Sequence, residues 1–270
     1  MEINFEEKTW VMGILNITPD SFSDGGNYTT IENAVFRAKQ MVEDGADIID
    51  VGGESTRPGY TMISDEEEIN RVVPVIQALA KEVNALISVD TYKAAVAEAA
   101  IAAGAHIIND IWGAKYDPEI AAVAAKWNVP IILMHNRNDT SYVNFWEDVQ
   151  KDMENSIQIA LDAGVQKAHI WLDPGIGFGK TTAQNIEMMQ HLDQFVALGY
   201  PVLLGTSRKS LIGKVLDLPV AERLEGSLAT VCYGVERGCH IVRVHDVKET
   251  SRTVHMMDVL TGKRNYKGVE

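Results

Sequence analysis

Two carboxylates that end apolar runs carry the most chemical information in this chain. Asp90 follows Ile87–Val89 and Asp173 follows Ile170–Leu172, and an ionised carboxylate buried beside such a run is costly unless donors or a cation meet it. The alternative is an N-cap on the next helix. For Asp173 that alternative is poor, because Pro174, Gly175, Gly177 and Gly179 follow and make a loop; for Asp90 it stays open. Asn109, after Ile107-Ile108, adds an amide. Together these groups suit a flat heterocycle with several N–H donors, since a carboxylate accepts two parallel hydrogen bonds from an amidine-like edge.

Ser207-Arg-Lys-Ser210 follows the apolar run Val202–Leu204 and leads into helical sequence. Backbone N–H groups and the helix dipole there suit an anion; the bland reading is a solvated basic turn. Arg243 and His245 alternate and so share one strand face. An interior arginine is expensive unless it meets an anion, so the pair reads as a phosphate site. Asn16, after Val11–Leu15, is a poor metal ligand alone. Mg2+, however, keeps several waters and takes one or two protein oxygens beside substrate phosphates, which makes Asn16 the candidate anchor for a substrate-borne Mg2+.

Gly179-Lys-Thr181 suggests a Walker phosphate loop, but that pattern needs glycine where Pro174 stands. The glycines instead allow close backbone approach and set Phe178 against an aromatic substrate. Met134 lines the same pocket. His135 has no second histidine or carboxylate nearby at ligand spacing and reads as structural. Neither Ser207 nor Ser210 sits in a Gly-x-Ser-x-Gly elbow or beside a histidine in sequence, which argues against covalent acyl chemistry.

These residues need a frame that gathers distant segments. The β-branched runs Val11–Leu15, Ile48–Val51, Ile87–Val89, Ile107–Ile108, Ile131–Met134, Ile170–Leu172, Val202–Leu204 and Ile241–Val244 alternate with longer helical stretches, the pattern of repeated βα units. Eight units in 270 residues fit a TIM (β/α)8 barrel, with a doubly wound open sheet as competitor. All eight runs end in polar residues: Asn16, Glu54, Asp90, Asn109 with Asp110, His135, Asp173, Ser207, and Arg243 with His245. An open sheet needs such ends only beside its switch point, whereas a barrel collects all of them at one mouth. The expected fold is therefore an α/β TIM barrel forming a single domain over residues 1–270.

Thr29-x-x-Glu32 and Ser64-x-x-Glu67 mark helix starts. Lys93–Ala103 reads as a helix, and Pro74 predicts a bend or break in its own. Two glycine-rich stretches, Thr18–Gly26 and Gly52–Gly59, hold Asp20, Asp24, Thr56 and Arg57 and read as lids that exclude water from the mouth.

Composition narrows the class. An apolar fraction of 46% and a charged fraction of 23% exclude disordered, fibrous and disulfide-stapled chains. A net charge of −14 repels nucleic acid and anionic lipid, so any phosphate site must be a local basic cluster. Cys232 and Cys239 are too few for a disulfide framework and lack the CxxC spacing. Glu2, Glu6 and Glu7 stand where a signal peptide would be basic, and no apolar run approaches a membrane span. A cytoplasmic protein is expected, and the sequons at Asn16, Asn27 and Asn138 are set aside.

Several long motifs in one order are more specific than any of these signals. Asn16-Ile-Thr-Pro-Asp-Ser-Phe-Ser-Asp-Gly-Gly26, Gly52-Gly-Glu-Ser-Thr-Arg-Pro-Gly59, Asp173-Pro-Gly-Ile-Gly-Phe-Gly-Lys180, Ser207-Arg-Lys-Ser210 and Arg243-Val-His-Asp246 closely resemble the bacterial dihydropteroate synthases over nearly the whole chain. The resemblance implies a TIM barrel that joins a dihydropterin methyl diphosphate to 4-aminobenzoate and releases diphosphate. It implies that Asp90, Asn109 and Asp173 hold the pterin, that Lys209 reaches its ring oxygen and nitrogen, and that Ser210 receives the aminobenzoate carboxylate. Thr56 would contact the pterin diphosphate, while Arg57, Arg243 and His245 stabilise the leaving group with Mg2+. Homodimers are usual in this family, and the stripe Val254 to Leu260 is the candidate patch. Tyr60 and Asn136–Asp139 depart from the family pattern.

Three rivals share parts of this pattern. A pterin-dependent methyltransferase lacks the Ser-Thr-Arg-Pro and Ser-Arg-Lys-Ser segments. A non-catalytic pterin-binding paralogue would be expected to lose motif residues that are all present here. A metal-dependent hydrolase needs a histidine cluster at ligand spacing, which this sequence lacks.

Overall fold

The computed structural model describes residues 3–17, 27–54 and 62–266. Their strands are β1 (Trp10–Asn16), β2 (Ile48–Gly52), β3 (Leu86–Asp90), β4 (Ile107–Asp110), β5 (Ile131–Met134), β6 (Ile170–Asp173), β7 (Leu203–Leu204) and β8 (Ile241–Val244). All pairs are parallel, in the order β6-β5-β4-β3-β2-β1-β8-β7. A parallel bridge from Leu172 to Val202 joins the two ends of that order, so the sheet curls into a nearly closed TIM barrel and the open-sheet alternative falls. The helices are α1 (Asn27–Glu43), α2 (Asp65–Glu82), α3 (Ala94–Ala102), α4 (Glu119–Trp127), α5 (Phe145–Asp162), α6 (Thr182–Gln190), α7 (Leu192–Val196), α8 (Ser210–Leu216), α9 (Leu224–Glu236) and α10 (Val247–Leu260).

Strand alternation divides the apolar residues between two cores. Val11, Ile49, Val51, Ile87, Val89, Ile108 and their neighbours face the helices. Trp10, Met12, Ile48, Leu86, Ile107, Ile132, Trp171, Leu203 and Ile241 fill the lower lumen, which Phe5 plugs with its ring centroid 5.3 Å from that of Trp171. Two residues further along each strand the same face turns polar or opens to the mouth. Ile48 leads to Asp50, Leu86 to Ser88 and Asp90, Ile107 to Asn109, Trp171 to Asp173 and Ile241 to Arg243. The lumen is thus apolar at its N-terminal end and ionic at its C-terminal end.

Some boundaries differ from expectation. Helix α1 takes in Asn27 and Tyr28, so Thr29 lies within its first turn. Ser64 caps α2 as expected, its Oγ accepting the Glu67 N–H at 3.2 Å, but α2 runs unbroken through Pro74. One lost helical hydrogen bond is outweighed there by the buried face of Val72, Val75, Ile76 and Leu79. Strand β7 shortens to two residues, Val202 contributing only the closing bridge.

Candidate active site

Helix α3 is capped by Lys93, which removes the capping role from Asp90 and leaves its carboxylate to the lumen. There Arg243 bridges two strands: its Nε donates to Asp50 Oδ2 and its Nη2 to Asp90 Oδ2, both at 2.6 Å. Asn109 Nδ2 donates to the same Asp50 oxygen at 3.2 Å. Burial opposes the Arg243 charge, but Asp50 and Asp90 outweigh it and raise its pKa. Burial also pushes the Asp90 carboxyl well above its ordinary value, against the pull of Arg243. Asp50 Oδ1, Asp90 Oδ1 and Ser88 Oγ are buried with no hydrogen-bond partner among the described residues. Such atoms are expensive unless a ligand supplies donors.

Asp173 ends β6 with Oδ1 accepting the Gly175 N–H at 2.7 Å, and burial raises its pKa against the pull of Lys209. Lys209 reaches in from the start of α8. Its ammonium donates to the Ile176 carbonyl and lies 4.9 Å from the Phe178 ring centroid. Burial draws the Lys209 pKa down to about 8, with Asp173 opposing. Gly177 is required beneath it, since its φ is +87° and a Cβ would meet Lys209 Cδ at 3.4 Å. Phe178 also packs with Met134, Tyr92, Ile111 and Trp112 in one apolar cluster at the mouth.

On the β8 side, Ser207 Oγ lies 3.0 Å from His245 Nδ1 and accepts the His245 N–H at 3.1 Å. Ser210 is exposed at the first turn of α8. Asn16 is exposed at the end of β1. It flanks Gly52 opposite Asp90: a Cβ on Gly52 would lie 3.5 Å from Asn16 Oδ1 and 3.6 Å from Asp90 Oδ2. Among the described residues no three His, Cys, Asp or Glu side chains form a metal cage. A single amide oxygen at an open strand end fits a cation that arrives on a substrate's phosphates.

Nine predicted residues, Asn16, Asp90, Asn109, Met134, Asp173, Phe178, Lys209, Arg243 and His245, thus stand at the strand ends or loops of one barrel mouth, with Ser210 at its rim. Thr56 and Arg57, like Asp20 and Asp24, lie outside the described residues. Sequence reasoning missed Asp50, whose signal was an acid inside the apolar run Ile48–Val51, two residues before Gly52. It also misassigned Glu54. That carboxylate lies beyond β2 and is buried with Tyr92, whose OH donates to it at 2.6 Å, and with Lys93, whose ammonium bridges Glu54 at 2.9 Å and Glu68 at 2.7 Å. The same Glu54 oxygen accepts the Ile63 N–H at 2.9 Å, so the cluster ties together the two ends of the segment after β2. His135, expected to be structural, lies 3.0 Å from Asp152 and 2.8 Å from the buried Lys180 ammonium. Burial lowers the pKa of His135 to about 4 and that of Lys180 to about 7.

A family model described as "Pterin binding enzyme" matches residues 12–245. The dihydropteroate synthase of Bacillus subtilis is 58% identical over 261 residues, 97% of this chain and 92% of that protein. Among solved structures, a dihydropteroate synthase from Clostridium difficile in the presence of pteroic acid superposes with a TM-score of 0.93 at 48% identity, covering 96% of this chain and 99% of that one. The Xanthomonas albilineans dihydropteroate synthase with 4-aminobenzoic acid gives 0.90 at 42% identity, covering 94% of each chain.

Proposed function

The chain belongs to the pterin-binding enzymes and, within them, to the dihydropteroate synthases, and from that premise we propose how its own residues divide the work of the reaction. It is a transferase of folate biosynthesis. It joins the methylene carbon of (7,8-dihydropterin-6-yl)methyl diphosphate to the amine of 4-aminobenzoate and releases diphosphate.

The observation that carries the assignment of roles is the set of buried, unsatisfied acceptors on Asp50 and Asp90, braced by one arginine. The N–H edge of a pterin meets that need. Asp90, Asp173 and Asn109 hold the edge, Met134 walls the pterin ring, Phe178 packs against the aminobenzoate ring, and Lys209 donates to the pterin's ring oxygen and nitrogen. With its Nε and Nη2 engaged by carboxylates, Arg243 has Nη1 to offer the diphosphate beside His245. Thr56 and Arg57 are assigned to the pterin diphosphate and the leaving group, and Ser210 to the aminobenzoate carboxylate. Asn16 is the protein oxygen that would hold Mg2+, which when bound adds positive charge to the leaving diphosphate.

Catalysis on this assignment is electrostatic. Cationic side chains stabilise the charge that develops as the C–O bond to diphosphate breaks. The methylene gains cationic character, the amine attacks it, and the surplus amine proton leaves to solvent. No strong base or protein nucleophile is required. Exclusion of water from the mouth protects the cation from hydrolysis.

The test is diphosphate release by the purified chain given the dihydropterin diphosphate, Mg2+ and 4-aminobenzoate, each omitted in turn. Release that needs all three, with dihydropteroate formed, is the expected result; tight pterin binding without diphosphate release favours an inert paralogue or a methyltransferase. We further propose a homodimer in the cytoplasm, as one barrel domain over residues 1–270. The stripe expected on α10 is narrower than its sequence suggested, because Val254 is buried in the core while Met256 and Leu260 are exposed. Sedimentation as a monomer at micromolar concentration would overturn the dimer. No helix among the described residues is long and apolar enough to cross a membrane.

A further inference from the structure

Behind the mouth, the segment after β5 grips the segment after β6 through groups that the reaction above does not use. The Lys180 ammonium donates to Gly175 O at 3.0 Å and to Phe178 O at 3.1 Å, and lies 2.8 Å from His135 Nδ1. These contacts absorb its three N–H groups and leave none for a substrate. His135 Nε2 lies 3.0 Å from Asp152 Oδ2, which also accepts from Arg137 Nε at 2.6 Å. A carboxylate on Nε2 holds the ring proton there, so Nδ1 faces Lys180 as an acceptor.

Further out, the Tyr142 OH donates to Gly179 O at 2.7 Å and Gln184 Nε2 to Thr140 O at 3.1 Å. Arg137 stacks 4.3 Å from the Tyr142 ring centroid. Backbone meets backbone as well. Gly175 has φ +66°, and a Cβ there would lie 1.9 Å from His135 O, so only glycine permits this approach. What the gripped segment presents to the mouth is the Ile176 carbonyl and the Phe178 ring, the two groups that touch the Lys209 ammonium.

We propose that Lys180 and Tyr142 are positioning residues for the aminobenzoate half of the site: they hold 175–179 so that the Phe178 ring meets the second substrate in register. The pterin half relies instead on Asp90, Asn109 and Asp173 at strand ends and on Lys209 at the start of α8, none of which belongs to 175–179. The proposal rests on the dihydropteroate synthase reading of the mouth and assigns new residues within it.

Steady-state kinetics of the full chain with both substrates, paired with calorimetric titration of 6-hydroxymethylpterin, a pterin that carries no diphosphate, provide the test. Lys180→Met is expected to raise KM for 4-aminobenzoate by about ten-fold or more and Tyr142→Phe by about three-fold, as hydrogen bonds to the loop are lost. The pterin Kd is expected to move by less than about three-fold in both. Equal weakening of both ligands, or an unchanged KM in the folded variants, overturns the proposal. Where Lys180→Met fails to fold, Tyr142→Phe decides alone, and an unchanged KM there overturns it. A wild-type chain that forms no dihydropteroate in the same assay overturns the reading of the reaction instead, so the two failures are distinguishable.

Discussion

Lys93 and Lys180 both bury an ammonium beside a glycine-rich segment at the C-terminal face of the barrel, and their surroundings drive them in opposite directions. Lys93 meets two carboxylates, Glu54 and Glu68. Burial opposes its charge, but those partners outweigh burial and raise its pKa. Lys180 has only carbonyls and an imidazole within hydrogen-bond reach, and burial pulls its pKa down to about 7. The first arrangement is charge neutralisation, which secures the two ends of a segment to the barrel. The second is a set of directional contacts to backbone, which shapes a loop without adding net attraction. Lys209 bounds the comparison: one carbonyl and one ring face hold it, which is compatible with the substrate contact proposed for it.

The largest effect belongs to Lys209. Lys209→Ala, and likewise Asp173→Ala, should lower kcat/KM by about two or more orders of magnitude while the chain still folds. Near-normal kinetics in both would remove the distinction between ligand-facing and backbone-facing lysines.

Stability separates the other two. Lys93→Met leaves Glu54 and Glu68 buried without their cation and should cost about 3–5 kcal/mol in chemical denaturation. Lys180→Met strands neutral acceptors only, carbonyls and one imidazole nitrogen, at about 1–3 kcal/mol. The reverse order would break the comparison.

The pH dependence sharpens it. With a folded pKa near 7 and an unfolded value of about 10.4, Lys180 binds fewer protons folded than unfolded between those limits, so its site gains stability as pH rises through that window. Lys93, raised above its unfolded value, contributes fully below about pH 10.4 and loses its contribution above it. Urea unfolding at pH 7 and 9.5 should show a smaller upward slope in Lys180→Met than in the parent chain, Lys209, lowered to about 8, keeping the remainder; equal slopes would contradict the assignment.

The smallest effects lie at the helices that follow the two segments. Ser64→Ala on α2 and Thr181→Ala on α6 should each cost about 1 kcal/mol in thermal unfolding. The two should be similar, since each loses one cap bond of 3.2 Å, while the return bond from the Thr181 backbone N–H to Gln184 Oε1 at 2.8 Å survives the substitution.

Much of the site was legible because strand ends obey a local rule. Asp90, Asn109, Asp173 and Arg243 each follow or interrupt an apolar run, and alternation predicts which face they share. Asp50 escaped because it stands inside its run and looks like a break in a strand, when it is the partner of Arg243 from a strand 193 residues away in sequence. Glu54 looked like a mouth residue by position, yet Lys93 and Tyr92 draw it under the rim. Lys180 belonged to a motif that fails as a phosphate loop, and nothing nearby in sequence announces that its acceptors include a histidine 45 residues earlier.

By itself the sequence determined the eight βα units, their closure into a barrel and the acidic, cationic and aromatic residues at its mouth, because periodicity and strand-end chemistry act over a few residues. Only the tertiary structure decided which charged and polar groups meet. The pairings of Arg243 with Asp50 and Asp90, of Lys93 with Glu54 and Glu68, and of Lys180 with His135 depend on strands and loops distant in the chain being brought within hydrogen-bond reach. In a low-dielectric lumen, that proximity sets each group's charge and therefore its task.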